Sequence, residues 1–334
     1  MAKRTTAWER LAEVAAVRLE SGRRALVPVL GSGFVREAVS RDAKRRPAMR
    51  GPQPIDWMSI LRGVAEEFAL ARAIRHIDRD VPGQTTLLWD SMLAELAGKP
   101  TMDGKSWAAH TWEDELRGAV AERLLDDRAT VRAARPLVKS FLKLGFEDVL
   151  SFNFDSVLLP DGTSPEPLAE RPAAKRASLG ARAGDTTVWF PHGHAVDPSS
   201  IVLGARAYGA RILAMQAAFD DHAKLTSPRP STNLSSWVAV ALERPLLFAG
   251  LSLTREEWTI WWLLAQRTRY LARRPSEARP LAFVVARRPE AVANAEQHAA
   301  FATLSRASEL LGVELLEAPD HRTAWRRLER ALGW

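Results

Sequence analysis

Seven short apolar runs, each closed by glycine, proline or charge and separated by longer segments of helical periodicity, constrain this chain more than any other feature. They are Ala25–Leu30, Asp148–Phe152, Thr187–Phe190, Ser200–Leu203, Leu246–Ala249, Leu281–Ala286 and Val313–Glu317. Runs of about five residues match buried strands and are short for buried helices. Strands that alternate with helices define an α/β class, and we expect a Rossmann-like, mostly parallel sheet flanked by helices. With 334 residues and 46% hydrophobic content, the chain can build one large core or two unequal domains.

The runs also divide the chain. Residues 1–24 carry an amphipathic pattern and read as an N-terminal helix, while residues 25–40 and 137–334 hold the strands. Between them lies a long insert, Arg41–Pro136, with helix candidates Trp57–Ala73, Leu87–Leu96 and Trp112–Leu125. It is expected as a helical subdomain over the sheet's edge. Pro- and Gly-rich stretches at Arg46–Pro54 and Val81–Gln84 read as linkers, Pro160–Gly184 as an exposed excursion, and Leu225–Asn233 as a loop before a helix around Ser235–Glu243. No apolar run reaches the ~18 residues of a membrane span, and the N-terminus lacks an apolar signal region. The expectation is a soluble, cytoplasmic protein with no membrane contact.

The formal charge is +7, and basic residues number 39 Arg against 8 Lys. The excess has two readings: solvated faces, and a surface for nucleic acid. The densest basic stretches, Lys44-Arg45-Arg46 and Arg322–Arg330, lack the interleaved aromatics of single-strand binders. Cysteine is absent, which removes disulfides, thiol nucleophiles and every thiolate zinc site.

Polar residues gather where the apolar runs end, and ligands of open α/β sheets bind beyond those ends. The first run passes into Gly31-Ser32-Gly33-Phe34, a turn that lets backbone N–H groups and a helix N-terminus approach a phosphate. The three-glycine dinucleotide fingerprint is missing, since Arg36 stands where its last glycine would be, and a plain strand-to-helix turn is the alternative. The second run ends in Asn153-Phe154-Asp155, suited to holding hydroxyls or capping the next segment as an Asx turn. The third ends in His192-Gly193-His194, where His192 can serve as a base near neutral pH. A metal at the two histidines lacks a carboxylate partner at suitable spacing, so none is expected. A later run ends in Gly250-Leu251-Ser252-Leu253, followed by Trp258, Trp261 and Trp262, which share one helix face and read as core or subunit interface. Tyr208 has two readings, packing and closure over a ligand.

In this order the four segments resemble the sirtuin-like family, specifically a divergent bacterial branch that consumes NAD. The resemblance spans Ala25–Leu264 and includes Pro198–Leu203 and Tyr208. It implies cleavage of the nicotinamide–ribose bond of NAD as substrate. Gly31, Ser32, Gly33, Phe34 and Arg36 would line the dinucleotide, with Gly193; Asn153 would position the ribose or the attacking water; Asp155 would hold ribose hydroxyls; His192 would be the base; Gly250 and Ser252 would contact the adenosine side. Deacylating members carry a four-cysteine zinc module and a serine where Val35 stands, so the resemblance points to hydrolysis and away from deacylation. In this branch the activity serves antiphage defence, which implies a homo-oligomer or a second protein, an ATPase, Argonaute-like protein or sensor, holding it off at rest. ADP-ribosyl transfer, a non-catalytic module sensing NAD or ADP-ribose, and a nucleic-acid-associated subunit are the other readings.

Overall fold

The computed structural model describes residues 5–45, 57–75, 85–97, 109–169, 177–225, 234–251, 253, 257–290 and 292–334. The strands are β1 (Val27–Leu30), β2 (Asp148–Ser151), β3 (Glu166–Pro167), β4 (Leu179–Ala183), β5 (Thr186–Trp189), β6 (Leu246–Ala249), β7 (Ala282–Arg287) and β8 (Val313–Ala318). They form one sheet in the order β3-β4-β5-β2-β1-β6-β7-β8. β5, β2, β1, β6, β7 and β8 are parallel, and β4 and β3 extend the β5 edge antiparallel. Counted along the chain, the parallel strands run third, second, first, fourth, fifth, sixth in space, the order of a doubly wound, Rossmann-like sheet. The strand order therefore reverses between β1 and β6.

Side chains alternate along each strand and build a core on both faces. Leu30, Val149, Leu247 and Phe283 face one core with α1 (Ala7–Ala16), α2 (Ser32–Arg45), α7 (Arg128–Leu142) and α12 (His321–Leu332). Val29, Leu150, Phe248 and Val284 face the other, with α8 (Gly204–Leu225), α9 (Trp237–Glu243) and α10 (Trp258–Leu271). α11 (Ala295–Leu310) connects β7 to β8. Thr6 caps α1 in a capping box with Glu9, and Trp8 Nε1 donates to the Glu317 carbonyl of β8, so the N-terminal helix is docked on the core. The ladder between β1 and β2 covers Val29 and Leu30 and omits Pro28, which has no N–H to contribute.

The insert comprises α3 (Trp57–Glu67), α4 (Ala71–Arg75), α5 (Thr85–Leu96) and α6 (Ala109–Asp126). It does not sit over the sheet's edge. Its core residues Leu61, Trp89, Trp112, Leu116 and Val120 pack with Phe154, Ala195, Ile201 and Leu203, which follow β2 and β5. The insert thus covers the carboxyl ends of those strands. Polar bonds fasten it: Asp90 Oδ2 accepts from the Ala205 N–H at 3.1 Å, and buried Glu113 pairs with Arg117 at 2.6 Å and with Arg206 of α8 at 3.4 Å.

Three further expectations are corrected. Pro136 does not end the insert: it lies inside α7, whose Ala133, Ala134, Val138 and Phe141 are buried against the core, and that packing outweighs the helix bond a proline forfeits. Ser200–Leu203 is not a strand, because Asp197 caps a 3-10 turn at Pro198–Ser200 and the Val202 N–H bonds the His192 carbonyl instead of a sheet neighbour. Pro160–Gly184 is not wholly an exposed excursion, since β4 pairs with β5 and buries Gly180, Ala181 and Ala183; small residues of low β propensity hid it. The linkers expected at Arg46–Pro54 and Val81–Gln84, and residues 226–233, lie outside the described residues.

Candidate functional site

The parallel register fixes which residues meet beyond the sheet. Leu150 pairs with Trp189, so three residues further along each chain Asn153 and His192 leave adjacent strands at the same level. The Ala195 N–H donates to the Phe154 carbonyl at 2.9 Å and keeps the two segments together past the strand ends. Gly193 turns the chain directly after His192, at φ +96°, and the Ser200 carbonyl occupies the space a side chain would need. Its role here is backbone geometry rather than an open approach to a ligand.

His192 is 4% exposed and ringed by aromatics. Phe152 lies edge-on at 4.7 Å between ring centroids, Tyr208 at 5.4 Å and Phe154 at 6.4 Å, with Trp258 over Tyr208 and Trp57 over Phe154. Its Nε2 is 2.7 Å from Thr259 Oγ1. Burial first, and then the charge of Arg211, push its pKa down to about 3, so the ring is neutral. His194 is a structural residue: Nδ1 accepts from the Val196 N–H, and Nε2 is 3.2 Å from Ser156 Oγ.

Asn153 is 5% exposed, and among the described residues its carboxamide has no hydrogen-bond partner. The amide is not among the fully buried polar atoms that lack a partner, so it keeps a little contact with solvent and can be met by water or a ligand. Asp155 forms the Asx turn, Oδ1 accepting from the Val157 N–H at 3.0 Å. Burial raises its pKa to about 6.

At the β1/β6 switch point the predicted glycines meet one another. Gly250, at φ +72°, nests against Gly33 and Phe34, and the Gly33 N–H donates to the Gly250 carbonyl at 2.9 Å. The Gly31 N–H donates to the Ala249 carbonyl at 3.2 Å. These two donors, expected to cradle a pyrophosphate, are thus engaged by the end of β6 and the glycine that follows it. Leu253, on the same turn, holds φ +43°, a left-handed conformation that costs a non-glycine residue about 1–2 kcal/mol.

Ser32 opens α2, half-buried at the rim. Two expected contacts are corrected. The Phe34 side chain turns away into the core, 5.1 Å from Phe141 and 6.0 Å from Trp325, because helical geometry points it at the sheet's flank. Arg36 is exposed on the outer face of α2, where its charge reaches His321 at the start of α12. Ser252 lies outside the described residues. Trp258 is 47% exposed, on the rim of the site rather than in the core, whereas Trp261 and Trp262 pack against the core. Thr259 and Arg211 had no sequence motif to announce them, whereas Tyr208, edge-on to His192, was a candidate for closure over a ligand. The only hint was that Thr259 follows the Gly250–Leu253 turn closely.

No family model matches the chain, and no curated protein matches its sequence. No helix among the described residues is long and apolar enough to cross a membrane.

Proposed function

We propose that this protein hydrolyses NAD to nicotinamide and ADP-ribose. The observation that carries the reading is the nearly buried carboxamide of Asn153, which no described residue hydrogen-bonds, and the neutral imidazole of His192, at the carboxyl ends of adjacent parallel strands. In the reaction the nicotinamide–ribose bond breaks with its electron pair leaving on nicotinamide, and the ribose carbon becomes cation-like. Water adds to that carbon and gives up one proton, which His192 accepts. Asn153 can accept from the water or a ribose hydroxyl and donate to the other, which orients the attack. The aromatic enclosure excludes bulk water, and in such a dry site oriented dipoles act strongly on developing charge.

The conformation described is closed, because Asn153, Asp155 and His192 are all at most 7% exposed. A ring held neutral by burial is a weak base, so proton transfer to it draws on the acidity of the water as it adds to the cation-like carbon. The same closure supports a second reading, a non-catalytic module that opens on binding NAD or ADP-ribose. The role we assign is a regulated effector of antiphage defence, held closed in a homo-oligomer or by a second protein, an ATPase, Argonaute-like protein or sensor. Direct nucleic-acid binding has weaker support, the basic charge alone.

Quantifying nicotinamide released from NAD by wild type, Asn153→Ala and His192→Ala tests the reading. Release by wild type and its loss in both variants is expected. Saturable NAD binding with no release, and equal affinity in His192→Ala, would establish the sensor in its place.

A further inference from the structure

Thr259 is the second residue of α10 and 1% exposed, and the one hydrogen bond recorded for its hydroxyl reaches His192 Nε2 at 2.7 Å. No described residue hydrogen-bonds His192 Nδ1. A neutral imidazole carries one N–H and one lone pair, and the partner of one nitrogen decides which the other presents. A β-branched side chain in a helix has few χ1 choices, so the Thr259 hydroxyl is a fixed anchor rather than a mobile one. The positive end of α10 also opposes protonation of the ring at rest.

We propose that Thr259 is a positioning residue that accepts from Nε2–H of His192 and so leaves Nδ1 as the lone pair that takes the proton. This rests on the hydrolytic reading above. The assignment follows from what the ring must do. Once Nδ1 has gained a proton the imidazolium has two N–H groups, and Thr259 still accepts from Nε2–H without moving. In the opposite tautomer Nδ1 already holds hydrogen, and the hydroxyl would have to rotate and return a lone pair before the ring could act.

The test combines nitrogen NMR of histidine-labelled protein with kinetics on the full chain. His192→Ala assigns the ring signals. Wild type is expected to show a protonated Nε2 and a bare Nδ1. Thr259→Val, nearly the same shape, is expected to lose that single tautomer and to lower kcat on the order of tenfold with an unchanged KM for NAD, as for one hydrogen bond. Thr259→Ser is expected to restore both. A bare Nε2 in wild type, or a Thr259→Val protein with the wild-type tautomer and kcat, overturns the proposal. The wild-type spectrum decides the tautomer even if the valine variant folds poorly. Absence of nicotinamide release from wild type would overturn the hydrolytic reading while the spectrum still judged Thr259 separately.

Discussion

Replacing Asn153 with leucine is expected to make the protein more stable while removing its activity. The carboxamide is 5% exposed and no described residue hydrogen-bonds it, so the resting fold bears part of the cost of leaving it unpaired. That cost is about 1–3 kcal/mol for an unpaired amide. Leucine has the same branching but bulkier methyl groups in place of the amide oxygen and nitrogen, which costs about 1 kcal/mol of packing strain. The net expectation is a gain of about 1 kcal/mol, within the range typical of substitutions that relieve a functional site. Urea denaturation of both proteins, compared at equal slope, measures it, and nicotinamide release from NAD supplies the second readout. A loss of more than about 1 kcal/mol, the mark of an amide held by hydrogen bonds at rest, would refute the reasoning that Asn153 awaits a ligand.

Gly193→Ala must adopt φ +96° and drive a methyl group into the Ser200 carbonyl, so a loss of at least about 3 kcal/mol is expected by urea denaturation. Tolerance within 0.5 kcal/mol, an order-of-magnitude threshold for neutral surface changes, would mean the turn is not built as described. Asp148 is buried against Trp189 Nε1 at 2.8 Å, and burial raises its pKa to about 6. A raised folded pKa gives stability that is complete below about pH 4 and lost as pH rises through 6. Asp148→Asn is therefore expected to be the more stable protein at pH 8, by at most about 3 kcal/mol, with the advantage gone at pH 4; denaturation at both pH values checks it, and a pH-independent difference contradicts it. Glu243, at the opposite end of the sheet, accepts from His222, Tyr270 and Arg274. Glu243→Gln is expected to cost about 3 kcal/mol while leaving nicotinamide release per folded molecule unchanged.

The parallel sheet was legible because its strands are buried on both faces and read as continuous apolar runs. Leu246–Ala249 appears in the structure at the expected residues, and the strand ends carrying Asn153 and His192 follow directly from it. β4 was not legible, since Leu179–Ala183 alternates small and charged residues and is specified by its pairing with β5. Pro136 misled for a related reason: a local rule about helices yielded to packing set by distant residues. The glycines at 31 and 33 were expected to approach a phosphate, and the structure instead packs them against Gly250 and Leu251, more than 200 residues away in sequence and invisible to a local pattern. Thr259, Arg211 and the covering insert reach the site through tertiary placement, which leaves no local periodicity to read. Phe34 and Arg36 were assigned by position in a motif, whereas the phase of α2 sends one into the core and the other to solvent.

The central claim is that Asn153 and His192 serve cleavage of the nicotinamide–ribose bond. The most direct test follows nicotinamide and ADP-ribose over time from NAD with purified protein in each oligomeric form it adopts. The account predicts equimolar appearance of the two products with wild type and none with His192→Ala. Intact NAD recovered from wild type in every form, or equal release from His192→Ala, would contradict it.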